Sequence, residues 1–104
     1  MARFDVYANP DKSESKLIPF YLDVQSDHIK GLQTRIVVPL WESGLLPEMV
    51  EDLNPVFAIA GRQVVMDTPA LGAAPTSALL KTVGSLAAEQ MTIQDALDTL
   101  FGSY

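Results

Sequence analysis

The sequence contains no cysteine and only one histidine. The lack of cysteine excludes a disulfide framework, a thiolate nucleophile and a zinc site built on thiolates. Because His28 is the single histidine, a two-histidine metal site is excluded and a Ser-His-Asp triad would depend on this residue alone. Its neighbour is Asp27, and adjacent residues seldom meet as base and orienting group, so an ordinary loop histidine is favoured.

Basic residues are also scarce. Seven Lys and Arg stand against thirteen Asp and Glu, which gives a formal net charge of −6. No basic field is available to attract phosphate backbones, so direct nucleic-acid binding is disfavoured. An acidic surface suits either a basic partner segment or simple solubility, and composition does not choose between them.

Long apolar runs are absent as well. The first residues form no apolar leader segment, and no stretch approaches the roughly eighteen uninterrupted apolar residues of a membrane-spanning helix. We therefore expect a cytoplasmic protein that is neither secreted nor membrane-embedded. With 104 residues, of which 48% are hydrophobic, the chain is expected to form one domain over residues 1–104.

Short runs of alternating or β-branched residues dominate the first eighty positions. Such runs predict strands over 4–8, 17–24, 33–40, 56–60, 63–66 and 77–83. Pro39 is expected to end the third strand, and Gly61 to take the positive φ of a tight hairpin. Loops are predicted over 9–15 and 69–75, and a loop or single helical turn over 41–47.

The last twenty residues follow a different period. An apolar stripe at i, i+3, i+4, i+7 and i+8 predicts one amphipathic helix; its members are Ile93, Ala96, Leu97, Leu100 and Phe101. Ser85 or Thr92 would cap its start, and Gly102 would end it. The predicted fold class is mainly β with one C-terminal helix (α+β).

No constellation in the sequence indicates catalysis. Four residues could in principle support phosphodiester cleavage, but their spacing gives no reason to group them: Arg35, Arg62, Asp23 and Asp67. Asp23 and Asp27 are expected to bond nearby backbone amides at a strand end. Trp41, the single tryptophan, is predicted to be a half-buried loop anchor. We predict no catalytic residue, no metal site and no cofactor.

Three segments resemble the CcdB family of toxins. They are Phe4-Asp5-Val6-Tyr7, Tyr21-Leu22-Asp23-Val24-Gln25-Ser26-Asp27 and Thr34-Arg35-Ile36-Val37-Val38-Pro39-Leu40. The resemblance implies a small antiparallel Src-homology-3-like barrel of the CcdB/Kid/MazF type with a C-terminal helix. It also implies a homodimeric, non-enzymatic type II toxin that binds the A subunits of DNA gyrase, traps the cleaved DNA complex and is neutralised by a CcdA-like antitoxin.

The same resemblance implies two sets of contact residues. The gyrase-binding set is Gln25, Ser26, Ile29, Phe101, Gly102, Ser103 and Tyr104. The antitoxin-binding set is Asn9, Asp11, Lys12 and Ser13. The chain departs from the family's aromatic-Trp-Gly-Ile ending, because Gly102 stands where the tryptophan belongs and Tyr104 where the isoleucine belongs. Tyr104 either replaces the missing flat ring or is a terminal residue without a role.

Two other functions stay open at this point. One is a ribonuclease toxin of the MazF or Kid kind, which shares the general fold and needs an arginine with an acid or hydroxyl group in a basic groove. The other is a CcdB homologue that has lost gyrase poisoning and only binds an antitoxin or regulates its operon. The altered ending keeps the second possibility open.

Overall fold

Short apolar runs build a sheet, and the apolar stripe of the last segment builds a helix on it. The computed structural model describes residues 1–102. Within them lie seven strands and one α-helix: β1 Asp5–Ala8, β2 Phe20–Asp23, β3 Thr34–Glu42, β4 Val56–Ile59, β5 Arg62–Met66, β6 Gly72–Pro75, β7 Thr82–Ser85 and α1 Gln90–Phe101. This confirms the predicted fold class. No helix among the described residues is long and apolar enough to cross a membrane.

Strand β3 organises the sheet. The strand order is β4-β5-β3-β2-β1-β7, and all pairs are antiparallel. The first half of β3 also pairs with β6, and its last residues pair with β5. The end strands β4 and β7 approach each other so closely that a Cβ at Gly84 would lie 2.6 Å from Ile59 Cδ1. The sheet is therefore curled into a half-barrel.

Pro39 does not end β3, as the sequence predicted, but lies inside it. The residue stands between Val37, the last partner of β6, and Leu40, the first partner of β5. Its carbonyl oxygen accepts a hydrogen bond from the Asp67 amide at 2.9 Å. The N–H and C=O of a strand residue point to the same side of the strand. The N–H that Pro39 lacks would therefore lie where β3 changes its partner from β6 to β5, so no hydrogen bond of the sheet is lost.

The boundaries after residue 70 were also wrong. The segment predicted as a loop contains β6, although glycine, alanine and proline have low strand propensity, because β3 offers it a free edge. The strand predicted over 77–83 is instead a 3₁₀ turn at Thr76–Ala78 followed by β7. The second strand is also shorter than predicted, because residues 12–17 form turns and β2 begins after Pro19.

The main core lies between the concave face of the sheet and α1. Its fully buried side chains come from strands β1, β2, β3 and β5 and from the helix: Val6, Leu22, Val38, Leu40, Val64, Met66 and Ile93. Burying each such side chain stabilises the fold by roughly 1.5–3 kcal/mol. A smaller cluster of Tyr7, Val37 and Leu79 lies on the opposite face, because neighbouring strand residues alternate sides. Burial raises the pKa of the Tyr7 phenol.

Helix α1 buries Ile93, Ala96 and Leu97, which confirms the centre of the predicted stripe. Neither Ser85 nor Thr92 caps it, because a 3₁₀ turn at Ala87–Glu89 leads directly into the helix. The Ser85 hydroxyl instead accepts the Ala87 amide at the start of that turn. Gly102 ends the helix as predicted, with φ 72° and its amide bonded to the Asp98 carbonyl.

The β4–β5 hairpin contains a residue whose replacement is expected to stabilise the protein. Ala60 and Gly61 form its two-residue turn with φ values of 51° and 76°, which confirms the prediction for Gly61. A left-handed backbone is costly for alanine and better tolerated by asparagine. Ala60→Asn should therefore raise the free energy of unfolding by about 0.5–1 kcal/mol in urea denaturation. The control Ala58→Asn, on the exposed side of β4, should not; an equal gain there would contradict this explanation.

Candidate functional site

A buried ion pair anchors the segment that follows β2. Arg35 donates to both carboxylate oxygens of Asp23, from Nε at 2.7 Å and from Nη2 at 3.0 Å. Asp23 is 0% exposed and Arg35 7%. Hydrogen bonding to Asp23 raises the pKa of Arg35 further above its usual range. The spacing of Asp23 and Arg35 in the sequence gave no reason to group them. In the structure they form an ion pair that joins the end of β2 to the start of the adjacent strand β3.

Gln25 and Ser26 extend this anchor. The backbone amide of Gln25 donates to Asp23 Oδ1 at 3.0 Å. The side-chain oxygen of Gln25 accepts the Ile36 amide at the same distance. The Ser26 hydroxyl accepts the His28 amide at 3.2 Å. These bonds confirm the expected strand-end chemistry for Asp23. Asp27 differs, because its carboxylate accepts the Arg3 amide from 24 residues away at 2.8 Å.

The segment after β2 and the end of α1 form the two walls of one groove. This apolar groove, of about 400 Å³, is lined by Val24, Gln25, Ser26, Ile29, Leu32, Thr34, Ile36, Leu71, Leu97 and Phe101. Ile29 is 47% exposed and Phe101 67% exposed, although both are large apolar side chains. Exposed apolar residues that converge on a concavity are typical of a binding surface.

Four of the predicted gyrase-binding residues therefore meet in the apolar groove: Gln25, Ser26, Ile29 and Phe101. Gly102 is exposed at the helix end beside them. Ser103 and Tyr104 lie outside the described residues. Sequence reasoning missed Leu32 and Leu71. The available signals were a leucine within a polar segment and a leucine next to Gly72.

The predicted antitoxin-binding residues belong to a separate loop that is held by several internal hydrogen bonds. The Asn9 side chain donates to the Ile18 carbonyl and accepts the Asp11 amide, both at 2.9 Å, and it is buried. Asp11 accepts the hydroxyl and backbone donors of Ser13, which lower the pKa of this carboxyl. Lys12 and Ser13 are exposed. A second groove, of about 380 Å³, runs between this loop and β6.

The other residues considered for phosphodiester cleavage are dispersed. Arg62 pairs with Glu42 at the end of β3, and Asp67 accepts the indole N–H of Trp41 at 3.0 Å. Trp41 is half-buried as predicted, but it lies in β3 rather than in a loop. Within residues 1–102, no three His, Asp or Glu side chains are placed to hold a metal ion.

The match to known families agrees with this geometry. The model of the family described as CcdB protein matches residues 3–102, which include both walls of the apolar groove and the Asp23–Arg35 pair. A match over nearly the whole chain shows the family. The protein belongs to the CcdB family, whose members are toxins of toxin–antitoxin systems.

Proposed function

We propose that the protein binds the A subunits of DNA gyrase through the apolar groove and traps the enzyme on cleaved DNA. The observation that carries this proposal is the convergence of Ile29 and Phe101, from the first and last thirds of the chain, as exposed apolar groups in one concavity. A ligand that prefers the opened, cleaved state of gyrase holds the enzyme in that state by differential affinity. The proposed toxin acts as a homodimer and catalyses no reaction.

Phe101 supplies the flat ring in this proposal. The family's tryptophan position is occupied by Gly102, which has no side chain to stack on a partner. Phe101 precedes it in the last turn of α1 and offers an aromatic face to an approaching side chain. Ile29 and Leu32 complete the contact from the facing wall.

The charges of the fold disfavour ribonuclease activity. Arg35 is buried and neutralised by Asp23, and Arg62 is paired with Glu42. Each guanidinium is paired with a carboxylate, which reduces the positive charge available to stabilise a phosphorane-like transition state. The net charge of −6 further opposes binding of RNA.

We further propose that a CcdA-like antitoxin contacts the loop of Asn9, Asp11, Lys12 and Ser13. Asn9 and Asp11 hold the loop in shape, and Lys12 and Ser13 are exposed to a partner. The disordered arm of such an antitoxin would fold as it binds, and the hydrogen bonds within the loop lower the entropic cost on the toxin side.

One assay tests the gyrase proposal. Purified protein is incubated with gyrase, ATP and supercoiled DNA, and trapped double-strand breaks are counted after detergent and protease treatment; RNA is a parallel substrate. We expect breaks that depend on gyrase and disappear when a CcdA-like antitoxin is added. Cleavage of RNA would contradict the proposal and indicate the ribonuclease function. The absence of both DNA breaks and RNA cleavage would indicate a homologue that only binds antitoxin.

A further inference from the structure

Arg3 connects the two walls of the apolar groove. Its Nε donates to the Val24 carbonyl at 3.1 Å, and its backbone amide donates to Asp27. Its Nη2 donates to the Gln94 side-chain oxygen of α1 at 3.0 Å. One arginine therefore bonds simultaneously to the segment that carries Ile29 and to the helix that carries Phe101.

The connection continues along the helix to the groove. The Gln94 side-chain amide donates to Asp98 Oδ1 at 3.0 Å, and the Asp98 carbonyl accepts the Gly102 amide at 2.8 Å. Gln94 and Asp98 are four residues apart and lie on one face of the helix. The chain of bonds that starts at Arg3 thus ends at the helix cap beside Phe101.

The backbone around Arg3 is held in an uncommon conformation. Phe4 has φ 74°, which is rare for a bulky side chain, and it is buried. Its amide donates to the Asp23 carbonyl at 2.7 Å and its carbonyl accepts the Leu86 amide at 2.9 Å. The Phe4 ring lies under the Arg3 guanidinium, 4.7 Å from its Cζ. Such backbone strain persists only where surrounding contacts enforce it, often at binding sites.

We propose that Arg3 is a positioning residue of the binding site: it fixes α1 relative to the Val24–Asp27 segment and so preorganises the apolar groove. Arg3 is not among the residues that line the groove, so it acts through Val24 and Gln94 rather than by touching the partner. The expected effect of Arg3 on gyrase binding rests on the proposed function. Its expected effect on hydrogen exchange at the end of α1 does not depend on gyrase.

Arg3→Met keeps a long apolar stem but removes the bonds from the guanidinium. We expect binding to the purified A subunits of gyrase to weaken by about tenfold or more, because the partner must then order the two walls. Gln94→Leu cuts the same connection on the helix side and should have the same effect. The matched control is Arg62→Met, which also removes the hydrogen bonds of a guanidinium that lies over an aromatic ring, but on β5. Its binding should be unchanged.

Hydrogen exchange separates this proposal from the function of the groove. In Arg3→Met, the amides of Leu100, Phe101 and Gly102 should exchange at least about tenfold faster than in the Arg62→Met control. The double variant Arg3→Glu with Gln94→Arg should recover slow exchange in part, because the opposite charges restore the bond to α1 whereas a glutamate cannot donate to the Val24 carbonyl. It should also recover part of the binding, which Arg3→Glu alone should not.

The outcomes are distinct. Wild-type exchange rates at the helix end in both Arg3→Met and Gln94→Leu would overturn the positioning role, as would unchanged gyrase affinity. If the wild-type protein does not bind gyrase, the proposed function fails, and exchange at the helix end alone then decides the role of Arg3.

Discussion

Arg35→Met is expected to lower the free energy of unfolding by about 3–5 kcal/mol, because it leaves the Asp23 carboxylate buried without a counter-charge. Asp23 is 0% exposed, so water does not replace the lost guanidinium. Since small domains are stable by only about 5–15 kcal/mol in total, the variant should lose a large fraction of its free energy of unfolding. Urea denaturation followed by Trp41 fluorescence and far-ultraviolet circular dichroism measures the change.

The control is the other arginine–carboxylate pair. Arg62 and Glu42 are both substantially exposed, so Arg62→Met should cost no more than about 1 kcal/mol. The double variant Asp23→Leu with Arg35→Met should recover part of the loss, because two apolar side chains leave no buried charge. Recovery would be incomplete, since the Gln25 amide loses its Asp23 acceptor. A loss for Arg35→Met as small as that for Arg62→Met would contradict the structural role of the pair.

Phe101→Ser is expected to weaken binding to the gyrase A subunits by about thirtyfold or more, which corresponds to the loss of a hot-spot side chain of at least about 2 kcal/mol. Trapped DNA breaks should decrease in parallel at limiting toxin concentration. The free energy of unfolding should change by about 0.5 kcal/mol or less, because Phe101 is 67% exposed and contributes little to the core.

Met91→Ser provides a control on the same helix. Met91 is 81% exposed and does not line the apolar groove. Met91→Ser therefore also removes a large apolar side chain from α1, but at a position outside the site. Its gyrase affinity should stay within about threefold of the wild type. Ile29→Ser, on the facing wall, should weaken binding as Phe101→Ser does. If Met91→Ser and Phe101→Ser weaken binding equally, the groove is not the contact surface.

Local sequence patterns predicted the elements whose physics is local. The β-branched run before Pro39 identified the centre of β3, and the stripe containing Ile93 and Leu97 identified the buried face of α1. Gly61 and Gly102 were identified as a turn and a helix end because positive φ restricts the choice of residue. The family was also evident from the short segment between Tyr21 and Asp27.

Elements that depend on distant partners could not be read in this way. Strand β6 consists of glycine, alanine and proline, and only the free edge of β3 makes it a strand. Pro39 stays inside β3 because the strand changes neighbours at that residue. In both cases pairing across the sheet overrides local propensity.

The sequence by itself determined the mainly β fold with one terminal helix, the family, and several residues expected to contact gyrase. The tertiary structure decided that Asp23 and Arg35 neutralise each other, that Ile29 and Phe101 face one groove, and that Arg3 joins its walls. The physical reason is that alternation and helical period are encoded by neighbours in the chain, whereas charge pairing and groove shape arise between residues 12 to 91 positions apart.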